Sequence, residues 1–345
     1  MAEQPRFAVL RLNATLVPVT GAERQALAQL GARVTEREGL DDEEIAAAGR
    51  EADAVMVVAA CLRGPVIRQL HKCRIISRLG TGVDKIDVAQ ATQQGIIVTN
   101  VPDFCTEEVA DHTLALLLSA ARRIAFFDRQ IRQGRRPGHG EVELHRLAAQ
   151  TVGLVGFGRI GQAVARRCRG FGLRILATDP RLTPELAREH GVVAADLQTV
   201  LRVSDYLCLL CPLLPSTRGL IGRDQLRQMK RSAVLVNTAR GELVDEEALA
   251  AALREGVIGF AALDVFGSIN VFHPDGFRSD HPLFSLPNVL LTPHVAANSV
   301  QAGVCCVQQG VEAVVDVLAG CWPRHPVNPQ VVPRFPLRRR SGGGA

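Results

Sequence analysis

The stretch Thr151–Asp179, TVGLVGFGRIGQAVARRCRGFGLRILATD, limits the fold more than any other part of the chain. An apolar run over Val152–Val155 leads into Gly156, Gly158 and Gly161, spaced G-x-G-x-x-G. Ile160, Ala163, Val164 and Cys168 follow at helical spacing, and a second apolar run, Leu173–Ala177, ends at Asp179. Strand, tight turn, helix and strand in this order make a dinucleotide-binding unit. Gly156 allows the turn, Gly158 lets backbone approach a pyrophosphate, and Gly161 lets helix and strand pack closely. The helix N-terminus then offers N–H groups and the positive end of its dipole to the phosphates. Asp179 lies 18 residues beyond Gly161, where a carboxylate accepts from a ribose 2′-hydroxyl and repels a 2′-phosphate. The expected cofactor is therefore NAD.

The rest of the chain alternates in the same way. Apolar strands are predicted at Phe7–Leu10, Ala54–Ala59, Arg74–Leu79 and Ile96–Thr99, and later at Asp205–Cys211, Ala233–Thr238, Gly259–Val265 and Asn288–Thr292. Helical segments separate them. This predicts an α/β chain with two Rossmann-like, doubly wound parallel-sheet domains and a cleft between them. A chain of 345 residues is long enough for two such domains. One long helix is predicted from Thr106, which with Glu107 and Glu108 caps and charges its first turn, to about residue 133. Asn298–Ala319 reads as a second long helix, and residues 334–345 as a disordered tail.

Composition removes several classes of function. The net charge of +5 is spread thinly, with no basic stripe interleaved with aromatics, so no nucleic-acid partner is expected. No signal pattern and no apolar run of spanning length are present, so no membrane is expected and the cytoplasm is the default. The nine cysteines are odd in number and lie mostly in apolar segments, where reduced, buried thiols are expected. Cys208 and Cys211 form a C-x-x-C along a strand, which points the two side chains apart, so no metal site is predicted.

Chemistry is expected at strand ends. Gly80-Thr81-Gly82 follows an apolar strand, and its backbone N–H groups can hold a carboxylate, with Arg78 adding charge. Arg240 follows the Ala233–Val236 strand, and its planar fork suits a carboxylate and a neighbouring carbonyl. Asp264 ends the Phe260–Leu263 run and can accept from a nicotinamide amide. His294, in Thr292-Pro293-His294, ends the last strand, and imidazole is the natural proton exchanger near neutral pH. Taken singly, each is as readily an ordinary turn residue.

Taken together they are not. LGTGVD (Leu79–Asp84), NVPDFCTEEVADH (Asn100–His112), VGFGRIG (Val155–Gly161), CPLLPSTRGLI (Cys211–Ile221), VNTARGELVDEEAL (Val236–Leu249), AALDVF (Ala261–Phe266) and LTPHVA (Leu291–Ala296) occur in one collinear series. The series resembles the D-isomer-specific 2-hydroxyacid dehydrogenases, most of all the phosphoglycerate dehydrogenase and C-terminal-binding-protein-like branches. The resemblance implies the formate/glycerate dehydrogenase-like arrangement. In it a discontinuous substrate-binding domain, residues 1–100 plus 298–333, surrounds an inserted NAD-binding domain, residues 101–297. It implies a homodimer formed through the NAD domain, and a small 2-hydroxy or 2-oxo acid as substrate, such as 3-phosphoglycerate or glycerate/hydroxypyruvate. Arg240 then matches the substrate carboxylate and carbonyl anchor, and His294 the acid/base that exchanges the hydroxyl proton. Arg78, Thr81 and Gly82 fall on the substrate side. Thr81, Arg159, Ile160, Asp179, Cys211, Thr238, Ala239, Arg240, Asp264 and His294 match cofactor contacts, beside Gly156, Gly158 and Gly161.

One departure stands out. The family places a Glu shortly after the D-V-F segment to orient the catalytic His, and here Ile269 occupies that position. No Glu occurs between Glu255 and Glu312. Three expectations follow. Asp275 or Asp280 replaces the carboxylate, or His294 works unassisted and more slowly, or the protein binds NAD(H) as a sensor without turnover, as in the corepressor-like branch.

Overall fold

A computed structural model describes residues 5–18, 21–138, 140–269 and 280–339. The chain divides into two compact units, Met1–Phe104 with Ser299–Ala345, and Cys105–Asn298. The first unit begins with β1 (Phe7–Leu12), α1 (Gly21–Gln29), β2 (Ala32–Arg37), α2 (Asp42–Gly49), β3 (Ala54–Val57), α3 (Gly64–Arg68), β4 (Ile75–Arg78), α4 (Val88–Gln93) and β5 (Ile97–Thr99). Its five strands lie in the order β2-β1-β3-β4-β5, all parallel. β3 and β5 are buried along their whole lengths, which explains the unbroken apolar sequence of β3 and the Ile97-Val98 pair of β5.

The second unit contains α5 (Thr106–Ala121), α6 (Ile124–Arg132), β6 (Thr151–Val155), α7 (Arg159–Gly170), β7 (Arg174–Thr178), α8 (Pro184–Glu189) and β8 (Val193–Ala194). It continues with α9 (Leu197–Val203), β9 (Tyr206–Leu209), α10 (Arg223–Gln228), β10 (Val234–Asn237), α11 (Glu246–Arg254), β11 (Phe260–Leu263) and β12 (Val289–Leu291). Its seven strands are parallel, in the order β12-β11-β10-β9-β6-β7-β8. Apolar clusters cover both faces, one around Leu207, Leu235 and Leu249, the other around Leu117, Val164 and Val236. The chain then returns to the first unit as α12 (Val300–Leu318), whose Val307, Val311 and Val314 pack with Phe7, Val9 and Ile75.

Four local points of the sequence reading need correction. The helix predicted from Thr106 to about 133 is two helices. Arg123 adopts a left-handed φ of 53° between α5 and α6, and its guanidinium lies over the Phe260 ring at 4.5 Å. Cys105, not Thr106, is the N-cap of α5. The tail predicted to be disordered from residue 334 is held as far as Arg338. The Trp322 amide donates to the Arg338 carbonyl at 3.0 Å, and Arg334 Nη1 donates to the His71 carbonyl at 2.7 Å. The stretch between Asp179 and Asp205, for which no element was predicted, holds two short helices, each started by a side-chain cap. Thr183 accepts from Leu186 N in α8, and Asp196 accepts from Thr199 N in α9.

Candidate active site

Because all seven strands of the second unit run parallel, their carboxyl ends share one edge. His294 follows β12, Asp264 follows β11, and Thr238, Ala239 and Arg240 follow β10. Cys211 follows β9, Gly156 follows β6 and Asp179 follows β7. β12 and β7 are five strand spacings apart, a row of about 24 Å at the usual inter-strand distance. The order of connection reverses between β6 and β9. Ligands of open parallel sheets bind at such a switch point.

Gly156 and Cys211 flank that point. Gly156 has a φ of +103°, and a Cβ there would stand 2.6 Å from Cys211 N. A Cβ on Gly161 would stand 2.4 Å from the Gly156 carbonyl oxygen, so the first turn of α7 rests directly on the strand exit. Gly158 differs, with nothing within 4 Å of its notional Cβ, and as N-cap of α7 it contributes no capping side chain. Arg159 and Ile160 open the helix behind it. Open space beside an uncapped helix N-terminus is what a pyrophosphate requires, so these residues fit a dinucleotide. Asp179 Oδ2 accepts from Phe157 N at 2.9 Å, and its Oδ1 accepts from Arg181 N at 2.8 Å. Burial pushes this carboxyl up, but those two amides and the Arg181 charge hold it below its ordinary value. Cys211 is a partly buried thiol, pushed up to about 11 by burial and therefore a neutral wall.

The Arg240 loop is shaped by buried Asn237. Its Nδ2 donates to the Arg240 carbonyl at 2.8 Å, and its Oδ1 accepts from Ala239 N at 3.0 Å. Arg240 Nη1 donates to the Ala239 carbonyl at 2.7 Å. The next residue must be glycine, because a Cβ on Gly241 would lie 1.9 Å from the Phe266 carbonyl carbon.

The His294 loop is built on Asp264. His294 has a left-handed φ of 56°, and its amide donates to the Asp264 carbonyl at 2.7 Å. Asp264 Oδ1 accepts from Thr292 Oγ1 at 2.5 Å and Val295 N at 3.0 Å, while Oδ2 accepts from Ala296 N at 2.9 Å. His112, on α5, places Nε2 3.0 Å from Thr292 Oγ1 and 3.4 Å from Asp264 Oδ1. Asp264 is wholly buried. Burial pushes its carboxyl up, but His112, Thr292 and the two amides more than offset this and hold it below its ordinary value. Asp264 thus acts as the floor of the His294 loop, a role the sequence did not suggest. Nothing local marks His112, which sits mid-helix and not at a strand end.

In the first unit, Arg78 Nε donates to the Gly82 carbonyl at 2.9 Å, and its Nη1 donates to the Leu79 carbonyl. Thr81 Oγ1 donates to the Val101 carbonyl at 3.2 Å. The Arg78 guanidinium therefore closes its own glycine loop.

Of the carboxylates considered for the absent Glu, Asp280 is exposed and Asp275 lies outside the described residues. Ile269 packs against the apolar cluster of the second unit. Glu246 instead gathers the segment that follows Phe266. It accepts from Gly267 N at 2.7 Å and from Ser268 Oγ at 2.6 Å. His281 Nε2 lies 2.9 Å from Ser268 Oγ and 3.4 Å from Glu246 Oε2. These three residues join the two ends of the segment.

Residues 114–296 match the sequence model of the D-isomer specific 2-hydroxyacid dehydrogenase NAD-binding domain, more than half of the chain. The chain belongs to the D-isomer specific 2-hydroxyacid dehydrogenase family. This dehydrogenase is 41% identical over 274 residues to a glyoxylate reductase of Korarchaeum cryptofilum, covering 77% of this chain and 80% of the relative. It is 38% identical over 303 residues to a D-3-phosphoglycerate dehydrogenase of Methanocaldococcus jannaschii, covering 87% of this chain but 56% of that protein. Among solved structures it resembles an NADPH-dependent glyoxylate/hydroxypyruvate reductase of Sinorhizobium meliloti in complex with NADP and malonate. The TM-score is 0.80 at 31% identity, covering 98% of this chain and 100% of that one. A D-lactate dehydrogenase of Aquifex aeolicus, complexed with NAD and lactic acid, gives a TM-score of 0.80 at 27% identity, over 90% and 96% of the two chains. This dehydrogenase is an NAD-dependent oxidoreductase.

Proposed function

We propose that this dehydrogenase interconverts a small, unphosphorylated 2-oxo acid and its D-2-hydroxy acid, with glyoxylate and hydroxypyruvate as the first candidates. The observation that carries this is the row His294, Asp264, Arg240 along one sheet edge, continuous with the glycine cradle at the switch point. Bound NAD(H) supplies or takes the hydride. Arg240 binds the substrate carboxylate and polarises the carbonyl, which fixes the face presented. His294 gives its proton to the carbonyl oxygen in reduction and takes the hydroxyl proton in oxidation. Arg78, Thr81 and Gly82 are assigned to the substrate side, with loop N–H groups as carboxylate donors. Arg78 is engaged by loop carbonyls, which disfavours a role in gripping a phosphate. The similarity to glyoxylate reductases points the same way.

We assign it to the cytoplasm as a homodimer. Its nine cysteines form no disulfide, which suits a reducing compartment. α6 has no buried residue and exposes Ile124 and Ile131 at 54% and 63%, a face that a second copy would cover.

The test is NADH oxidation with glyoxylate, hydroxypyruvate, phosphohydroxypyruvate and 2-oxoglutarate. Turnover on either of the first two is expected. NADH binding with no turnover on any of the four would replace this assignment with an NAD(H) sensor, which the Ile at position 269 favours.

A further inference from the structure

Arg240 and His294 are each preceded, two residues upstream, by a threonine: Thr238 and Thr292. Both threonines are bonded to consecutive residues of one helix. Thr113 Oγ1 lies 2.7 Å from Thr238 Oγ1, and His112 Nε2 lies 3.0 Å from Thr292 Oγ1. One turn of α5 therefore grips the exits of β10 and β12, which are two strand positions apart in the sheet.

We propose that His112 is a positioning residue that, with Thr113, fixes the spacing between Arg240 and His294. The directions of the bonds follow from valence. Thr292 has one hydroxyl proton, and the 2.5 Å contact with the Asp264 carboxylate takes it. Thr292 Oγ1 must then accept from His112, so His112 carries its proton on Nε2. The chain His112 Nε2–H to Thr292 Oγ1–H to Asp264 Oδ1 runs from a helix to the buried carboxylate that holds the Val295 and Ala296 amides, next to His294, in place. This bracing lies beneath the loop and needs no carboxylate from the segment after Phe266.

The assignment rests on the reading of His294 as acid/base, and the test separates the two. His112→Gln keeps an N–H at the reach of Nε2, whereas His112→Ala does not. In NADH-dependent reduction of glyoxylate or hydroxypyruvate, His112→Ala should lower kcat on the order of tenfold. KM and the Kd for NADH should stay within about twofold, because the loss falls on the reacting geometry. His112→Gln should recover most of kcat. Both variants at wild-type kcat, or both equally impaired, would overturn the proposal. Should the wild-type protein turn over none of the oxo acids, the nitrogen shifts of labelled histidines decide the matter. The proposal requires protonation at Nε2 of His112, and a His294 ring signal displaced in His112→Ala but restored in His112→Gln. An Nδ1-protonated His112, or an undisplaced His294 signal, refutes it.

Discussion

The amide of His294 donates to the carbonyl of Asp264 at 2.7 Å, and the side chain of the same Asp264 receives the hydroxyl of Thr292 and the amides of Val295 and Ala296. One buried residue thus satisfies the loop both before and after His294. A non-glycine residue at a φ of 56° is held in an uncommon conformation, one that costs about 1–3 kcal/mol when imposed. The four bonds to Asp264 are what impose it.

If His294 carries the proton, His294→Ala removes turnover while NADH binding survives. A fall in kcat of about 10²–10⁴ is expected. Steady-state kinetics beside NADH fluorescence titration measure the two quantities separately, and an unchanged kcat would take His294 out of the chemistry.

Asp264→Asn should cost about 2–4 kcal/mol at neutral pH, because it replaces a buried acceptor of several bonds with a group that has one acceptor oxygen. The pH dependence has a fixed sign. The Asp264 carboxyl is held below its ordinary value of 3.8. Its contribution is therefore complete above pH 3.8 and is lost as pH falls through the depressed native value. Urea unfolding across that range should show wild type and variant converging towards acid, and a constant gap would contradict the assignment.

Asp179→Ala should act twice. Removing the carboxylate relieves repulsion of a 2′-phosphate and raises the NADPH to NADH ratio of kcat/KM roughly tenfold. It also frees the Phe157 amide, which Asp179 now holds at 2.9 Å, so NADH affinity should fall as well. A variant with an unaltered cofactor ratio would show that the ribose is read elsewhere.

Two glycines should separate folding from cofactor binding. Gly241→Ala drives a Cβ to 1.9 Å from backbone of Phe266, which cannot yield, and should destabilise the protein by about 2–3 kcal/mol. Gly158→Ala meets no atom within 4 Å. It should leave Tm unchanged and weaken NADH binding, because the methyl fills the space a pyrophosphate enters. Thermal melts with and without NADH distinguish the two.

The parts of this structure written in adjacent residues were legible beforehand. The glycine turn before α7 and the apolar strands that lead to Arg240, Asp264 and His294 all announce themselves within one or two elements. The break at Arg123 was not legible, because it depends on a ring in β11 that the guanidinium covers. Neither was the bracing of His294. His112 and Thr292 are 180 positions apart, and no local pattern records a contact of that range. The Glu246–Ser268–His281 cluster was not legible for the same reason. The short helices α8 and α9 were missed despite their Thr183 and Asp196 caps, since neither is long enough to show a clear apolar period.

The return of the chain to its first unit through α12 has a consequence for biosynthesis. Phe7, Val9 and Ile75 leave the ribosome early, yet the valines of α12 that shield them lie beyond residues 105–298. At ordinary translation speeds the sheet waits about 10–40 s with this apolar face covered only in part, by Leu27 of α1. The inserted unit can complete its own seven strands first, since all of them precede α12 in the chain. The opening hundred residues are thus the last to be finished, and during synthesis they are the part most in need of a chaperone.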